Sequence, residues 1–400
     1  MSQPTNSTDQ FWRHEKCANI RAYIYRSDLL PTSETFIKAQ AGALTRFRHQ
    51  FVGLGRVRLG LSVGQDAITL TRGTSFLARV RRRLYKELAI APRFHKQIAA
   101  AGGSLVHAHF ASDGAVISPL CRNLKLPLIV TLHGYDVSVR CDFKKRYERL
   151  WADAALFICV SEFIRQKALA AGFPDQKLLV HYIGVDSSQF IPNAAPPEDG
   201  LVLFVGRLVE KKGCEYAINA MQTLQQRIDT ARLVVIGDGP LKSSLQDLAR
   251  QQGVRCEFLG AQPSHVIRDW LGRASLFCAP SVTAPNGDSE GLGIVFLEAQ
   301  AMQVPIVSFQ HGGIPEAVAH GETGLLAPEG NHEVLAQHIL TFLTDKAFRE
   351  KCGTAGRERV QRLFNLQTQT AILERIYEQV LAGGKVDGRD HFSDSANLAA

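Results

Sequence analysis

The chain has 400 residues, 45% of them hydrophobic and 21% charged, which excludes a disordered chain and supplies core material for two or three domains. The formal net charge of +8 is unevenly placed: residues 1–100 hold 17 Lys and Arg against 6 Asp and Glu, so the whole excess lies in the first quarter. No aromatic-basic RNA or DNA motif accompanies it, and nucleic acid is not an expected partner.

The first 17 residues are polar, without the apolar segment of a signal peptide, and no apolar run approaches the roughly 20 residues that span a bilayer. The eight cysteines (17, 121, 141, 159, 214, 256, 278 and 352) lack metal-ligand spacing and read as reduced core residues. The expectation is a cytoplasmic protein, at most peripheral on the inner leaflet of the cytoplasmic membrane.

Apolar strand-sized runs at 20–25, 104–110, 127–132, 155–160 and 178–183 are predicted strands of a first half. Between the first two, Thr32 or Ser33 is placed to cap a helix starting near Glu34. Farther on, Arg79, Arg81, Arg82, Arg83 and Lys86 are interleaved with Phe76, Leu77, Leu84 and Tyr85. That cluster is either a solvated helix face or a surface for anionic lipid. Residues 191–199 contain three prolines among polar residues and mark a linker. Strands follow at 200–205, 231–236, 256–259, 275–279 and 304–309. Strands alternating with helical segments on both sides of a linker predict an α/β protein: two Rossmann-like domains, 1–190 and 200–362, facing each other across a cleft. A helix at 363–382 is expected to cross back to the first domain, and the Gly-, Asp- and Ser-rich stretch 383–400 to be disordered.

The most informative stretch is SEGLGIVFLEAQAM, 289–302. Ser289 or Glu290 would suit an ordinary helix start. Glu298 sits in an apolar run and needs a polar partner. If the helix begins near Leu292 or Gly293, its amino end is an anion site, and Glu290 and Glu298 lie about 12 Å apart along the axis. That span fits a nucleotide sugar, with Glu290 toward the sugar hydroxyls, the Gly291, Leu292 and Gly293 amides at phosphate, and Glu298 on the ribose diol. Arg207 and Lys212 follow a strand end in FVGRLVEKKG, placed to neutralise a diphosphate. VIGDGP (235–240) lacks a full GxGxxG and reads as a structural turn. His107 and His109 share a strand face without a third metal ligand, so packing is the expected role and no metal is assigned. His133 ends a strand before Gly134, where open α/β sheets expose functional groups. Asp136 could act beside it or only cap a helix. Gly312 and Gly313 in HGGIPE allow close backbone approach to a donor, with Glu316 capping the next helix.

On these motifs, with VHAHF (106–110), TLHGYDV (131–137), VSEFIRQKALAAG (160–172), IGVD (183–186) and GETGLLAP (321–328), the chain resembles retaining glycosyltransferases of family 4, which have the GT-B fold. The resemblance runs from about 20 to 381. It implies sugar transfer from a UDP- or GDP-sugar to a glycan acceptor, without a metal or further cofactor. It places Arg207 and Lys212 at the leaving group, His133 and Glu290 at the reacting centre, and Ser33, Glu34, His109 and Asp136 on the acceptor side or just behind it. The family's glycine-rich loop after the first strand is replaced here by a P-x-SETFI segment similar to the branch that builds exopolysaccharide, capsule or lipopolysaccharide, whose acceptors are expected to be lipid-linked. A GT-B nucleotide-sugar epimerase and a non-catalytic nucleotide-sugar-binding subunit are the alternatives.

Overall fold

The computed structural model describes residues 20–384, apart from 58, 59, 74 and 140. The polar start, Cys17 and nearly all of the expected disordered stretch lie outside the described residues.

In the first half, strands β1 (Arg21–Tyr25), β2 (Asp28–Leu29), β3 (Arg48–Gly53), β4 (Gly55–Arg56), β5 (Ile68–Thr69), β6 (Leu105–His109), β7 (Leu128–Leu132), β8 (Leu156–Cys159) and β9 (Leu178–Val180) alternate with helices. The helices are α1 (Thr35–Gly42), α2 (Phe76–Leu88), α3 (Pro92–Ala100), α4 (Ala111–Leu124), α5 (Tyr135–Ser138), α6 (Phe143–Asp153) and α7 (Glu162–Ala170). Seven strands form a parallel sheet in the order β5-β3-β1-β6-β7-β8-β9, while β2 and β4 pair separately. Alternate residues divide its two cores. Tyr23, Tyr25, Val130 and Leu132 face one side; Ala22, Ile24, Ile129 and Ile158 face the other. Burial on both faces is why β7 reads as the continuous apolar run LIVTL.

The second half carries β10 (Leu201–Val205), α8 (Cys214–Leu224), β11 (Arg232–Ile236), α9 (Lys242–Gln251), β12 (Cys256–Gly260), α10 (Ser264–Arg273), β13 (Leu276–Cys278), α11 (Ile294–Ala301), β14 (Ile306–Phe309), α12 (Ile314–Ala317), β15 (Gly324–Ala327), α13 (His332–Thr344), α14 (Lys346–Leu363) and α15 (Leu366–Leu381). Its parallel sheet has the order β12-β11-β10-β13-β14-β15. The order reverses between β10 and β13, and the loops leaving those two strands open a crevice, the usual ligand position in such sheets.

Helix α15 returns to the first half. Leu373, Ile376 and Tyr377 join the core formed with Ala22, Ile24 and Ile158. The buried Glu374 carboxylate accepts from the Thr45 (2.7 Å), Arg46 (2.6 Å) and Phe47 (3.3 Å) amides, and so holds the turn before β3. No helix among the described residues is long and apolar enough to cross a membrane.

Two expectations for local structure change. Neither Thr32 nor Ser33 caps α1; Glu34 occupies the cap position, without capping through its side chain, because its carboxylate is taken by Arg26. In the basic helix α2, Arg82 does not face outward: Nε donates to Thr71 Oγ1 (2.8 Å) and Nη2 to the Gly73 carbonyl (2.7 Å). Tyr85 is buried against Phe94 and His95. The outward face is therefore Phe76, Leu77, Val80, Leu84 and Leu88, which recur at helical spacing and are 70%, 72%, 37%, 52% and 60% exposed. Arg79, Arg81, Arg83 and Lys86 are exposed around it.

Candidate active site

Two glutamates eight residues apart end up in opposite electrostatic states. Glu290 lies before α11, against Lys212, whose Nζ is ion-paired to its Oε2; the Lys212 and Glu290 side chains are only 16% and 11% exposed. Burial alone would raise the Glu290 pKa, but Lys212 and Lys211 overcome it and hold the carboxyl at about 2. The Glu298 carboxylate, on α11, has no hydrogen-bond or ion-pair partner among the described residues. Burial pushes it up to about 7 against a weak opposing effect of Arg268. It lines a cavity of about 620 Å³ with Arg268, Ser264, Asp186 and, from the first half, Phe36 and Lys38.

The amino end of α11 separates the two carboxylates. Gly293 takes the cap position at φ +82°, where a side chain would also strike the Phe296 ring. Ser289 and Glu290 do not cap the helix: Ser289 Oγ donates to the Gly287 carbonyl and Glu290 is held by Lys212. Among the described residues, neither the Leu292 nor the Gly293 amide has an acceptor, and both residues are buried. Two buried donors at a helix amino end form an anion site.

Arg207, just past the end of β10, is exposed and makes no ion pair among the described residues. Lys211, which sequence reasoning passed over beside Lys212, is bound to Asp288 at 2.9 Å. The glycines expected to admit a donor are instead packed on protein backbone. A Cβ on Gly291 would collide with the His133 carbonyl, on Gly312 with the Glu290 carbonyl, and on Gly313 with the Gly291 carbonyl. His311 steadies the same loop: Nε2 accepts from the Glu290 amide (3.4 Å) and Nδ1 lies 3.1 Å from Glu329 Oε2.

On the first-half side, His133 is packed among His109, Phe110 and Phe36, at ring-centroid distances of 5.3, 4.6 and 5.2 Å. Its Nε2 lies 3.1 Å from His109 Nδ1, so one ring donates to the other. His107 is sandwiched by Tyr377 and Thr131 hydroxyls, each at 2.6 Å. Burial, then Arg26 and His107, depress His133 to about 3, leaving a neutral imidazole at pH 7. Asp136 neither faces the cleft nor caps its own helix. It accepts from the His133 (3.0 Å) and Ala111 (2.7 Å) amides and braces the loop. Burial raises it to about 6, those two bonds opposing the rise. Glu34 is likewise engaged: Arg26 holds both it and Asp113 while stacking 4.4 Å over Phe110. Ser33 is exposed. Glu316 does not cap α12 but reaches the first half, accepting from the Glu162 (2.7 Å) and Phe163 (2.9 Å) amides at the start of α7. Arg26 and Ser161 were not singled out from the sequence, because the partners that tie them to the site, Asp113 and Gly291, come from distant segments.

Two facing parallel sheets with an anion site at the second switch point define a GT-B glycosyltransferase. The model for glycosyl transferases group 1 matches residues 186–359 and that for glycosyltransferase family 4 matches residues 33–189. Over 282 residues the chain is 33% identical to the amylovoran biosynthesis glycosyltransferase AmsK of Erwinia amylovora, covering 68% of this chain and 69% of that one. It is 32% identical over 270 residues to the putative colanic acid biosynthesis glycosyltransferase WcaL of Salmonella typhimurium, covering 65% and 66%. The fold is shared with HepE of Anabaena, solved with UDP and glucose, at a TM-score of 0.72 and 19% identity over 90% of this chain and 99% of that one. The chain belongs to the family 4 glycosyltransferases.

Proposed function

We propose that the protein transfers a sugar, with retention, from a UDP- or GDP-sugar to a lipid-linked glycan acceptor during synthesis of a bacterial surface polysaccharide, at the cytoplasmic face of the membrane. The observation that carries the donor half is the pairing of one ionised glutamate with Lys212 and of one unpartnered glutamate with an open cavity, on either side of a helix amino end. Diphosphate fits between them, held by Arg207, Lys212 and the Leu292 and Gly293 amides; the Glu298 carboxylate accepts from a ribose diol. HepE bound to UDP and glucose and the polysaccharide roles in the names AmsK and WcaL support this reading, and membership of a transferase family favours it over epimerisation or non-catalytic binding. The sugar–phosphate bond breaks on the face where the acceptor oxygen bonds, and the leaving phosphate takes the acceptor proton, so no protein nucleophile is assigned.

The cations and helix end stabilise the departing charge that a divalent metal could otherwise take. Turnover should therefore persist in EDTA. The test is a screen of UDP-, GDP-, ADP- and TDP-sugars for binding and hydrolysis, followed by the best donor with and without chelator. Loss in EDTA with recovery in magnesium would overturn the metal-free assignment, and binding of none of the four donors would overturn the donor reading.

The membrane partner rests on α2. Five exposed apolar side chains in one stripe, ringed by Arg79, Arg81, Arg83 and Lys86, match a lipid leaflet with anionic headgroups. Each cation near such a surface is worth roughly 1 kcal/mol, fading beyond a Debye length of about 8–10 Å. Wild type should co-sediment with phosphatidylglycerol vesicles at low salt, and Leu77→Ser with Leu84→Ser should abolish this without changing turnover on a short water-soluble acceptor. Arg82 is left intact because of its bonds to Thr71 and Gly73. A wild type that stays in the supernatant at low salt refutes the assignment.

A further inference from the structure

The anion site on the donor loop does not by itself account for that loop's backbone being held by the opposite half of the molecule. Ser161, fully buried at the end of β8, is the cap of α7: its Oγ accepts from the Ile164 amide at 3.1 Å. The same hydroxyl donates to the Gly291 carbonyl at 2.6 Å, across the cleft. A trans peptide sets C=O and N–H in opposite directions. Fixing the Gly291 oxygen therefore fixes the Leu292 N–H, one of the two amides at the anion site, pointing away from Ser161.

We infer that Ser161 is a positioning residue which orients the Leu292 amide toward the donor diphosphate, so that the phosphate site is complete only while the two halves are together. The inference rests on the donor reading above. The surroundings leave the peptide little other support: Gly291 presses on the His133 carbonyl and Gly313 on the Gly291 carbonyl, contacts that exclude side chains but supply no hydrogen. Glu316 acts beside Ser161, its two oxygens taking the Glu162 and Phe163 amides, so the start of α7 stays anchored to the second half when the hydroxyl is removed. Ser161 is thus separable from the anchoring of the helix.

Ser161→Gly removes the hydroxyl and keeps a residue that caps helices nearly as well. Ser161→Thr retains the hydroxyl that makes both hydrogen bonds. The probes are UDP, GDP, ADP and TDP, with the matching nucleoside for whichever diphosphate wild type binds. Ser161→Gly should bind that diphosphate roughly three- to tenfold more weakly, the range of one net hydrogen bond. Its affinity for the nucleoside should be unchanged, its donor KM should rise, and Ser161→Thr should restore both. Equal losses for nucleoside and diphosphate would make the residue merely structural, and no loss for either would also overturn the inference. A wild type that binds none of the four diphosphates overturns the donor reading itself, and with it this one.

Discussion

Lys212→Ala should lower kcat by about 10²–10³-fold, the effect of removing one preorganised donor that meets developing negative charge, or about 2.7–4 kcal/mol. The ion pair with Glu290 complicates the measurement, because truncating one member leaves the other buried. Breaking a fully buried pair costs about 3–5 kcal/mol of stability; the slight exposure of this one places it at or below the lower end. The double variant Lys212→Ala with Glu290→Gln removes the orphaned charge and should recover the melting temperature but not kcat. Glu290→Gln alone should impair turnover while binding nucleoside diphosphate as well as wild type, since it leaves Lys212 free to meet phosphate. Arg207→Ala should lose turnover without any change in melting temperature, because Arg207 is exposed and unpaired among the described residues. If Lys212→Ala were to melt early yet turn over at the wild-type rate once folded, the pair would be structural and the leaving-group assignment wrong.

The strands nearest the cleft were legible because both faces of each parallel strand are buried, so β1, β6, β7, β10 and β11 appear as apolar runs with boundaries within two residues of the structure. Strand β3 was missed: it begins Arg48-His-Gln, where Arg48 reaches solvent and the buried Gln50 side chain donates to the Asp66 carbonyl (2.7 Å), so its first half carries no apolar run. Strand β15, Gly-Leu-Leu-Ala, is too short to stand out from the loop before it. At the site, charge and residue type pointed to Arg207, Lys212, Glu290 and Glu298, but not to which carboxylate would be paired. That depends on a contact between residues 78 positions apart. The glycines were read as room for a ligand because sequence shows only the absence of a side chain; whether phosphate or another backbone fills the space is decided by the fold. The same limit applied to the basic helix, where a one-residue step around the axis separates Arg81 and Arg83, which face solvent, from Arg82, which is bound to the loop beneath.

Nucleotide affinity should depend on pH through Glu298, whose carboxyl is poised at about 7. Only the ionised form accepts both ribose hydroxyls, so affinity for the cognate nucleoside diphosphate should fall about tenfold between pH 8 and pH 6. Phosphate protonation and other groups contribute in that window as well, and Glu298→Gln isolates them: the difference between the two proteins is the Glu298 contribution, and the variant should bind weakly with a flatter profile. Stability without nucleotide should run the other way. Below about pH 4.5 the folded and unfolded chains both hold the proton. Between about 4.5 and 7 the unfolded chain has lost it while the fold retains it, so this carboxyl subtracts stability as pH rises, with its full effect reached above about 7. Relative to Glu298→Gln, wild type should therefore melt at a lower temperature at pH 8 than at pH 6, and saturating nucleotide should cancel that trend, because the carboxylate is then ionised in both the bound fold and the unfolded chain. Calorimetric titration at both pH values, with thermal unfolding of the same samples, checks the two signs together. Parallel pH profiles for wild type and Glu298→Gln would remove Glu298 from the ribose and leave the cavity beside it without an assigned ligand group.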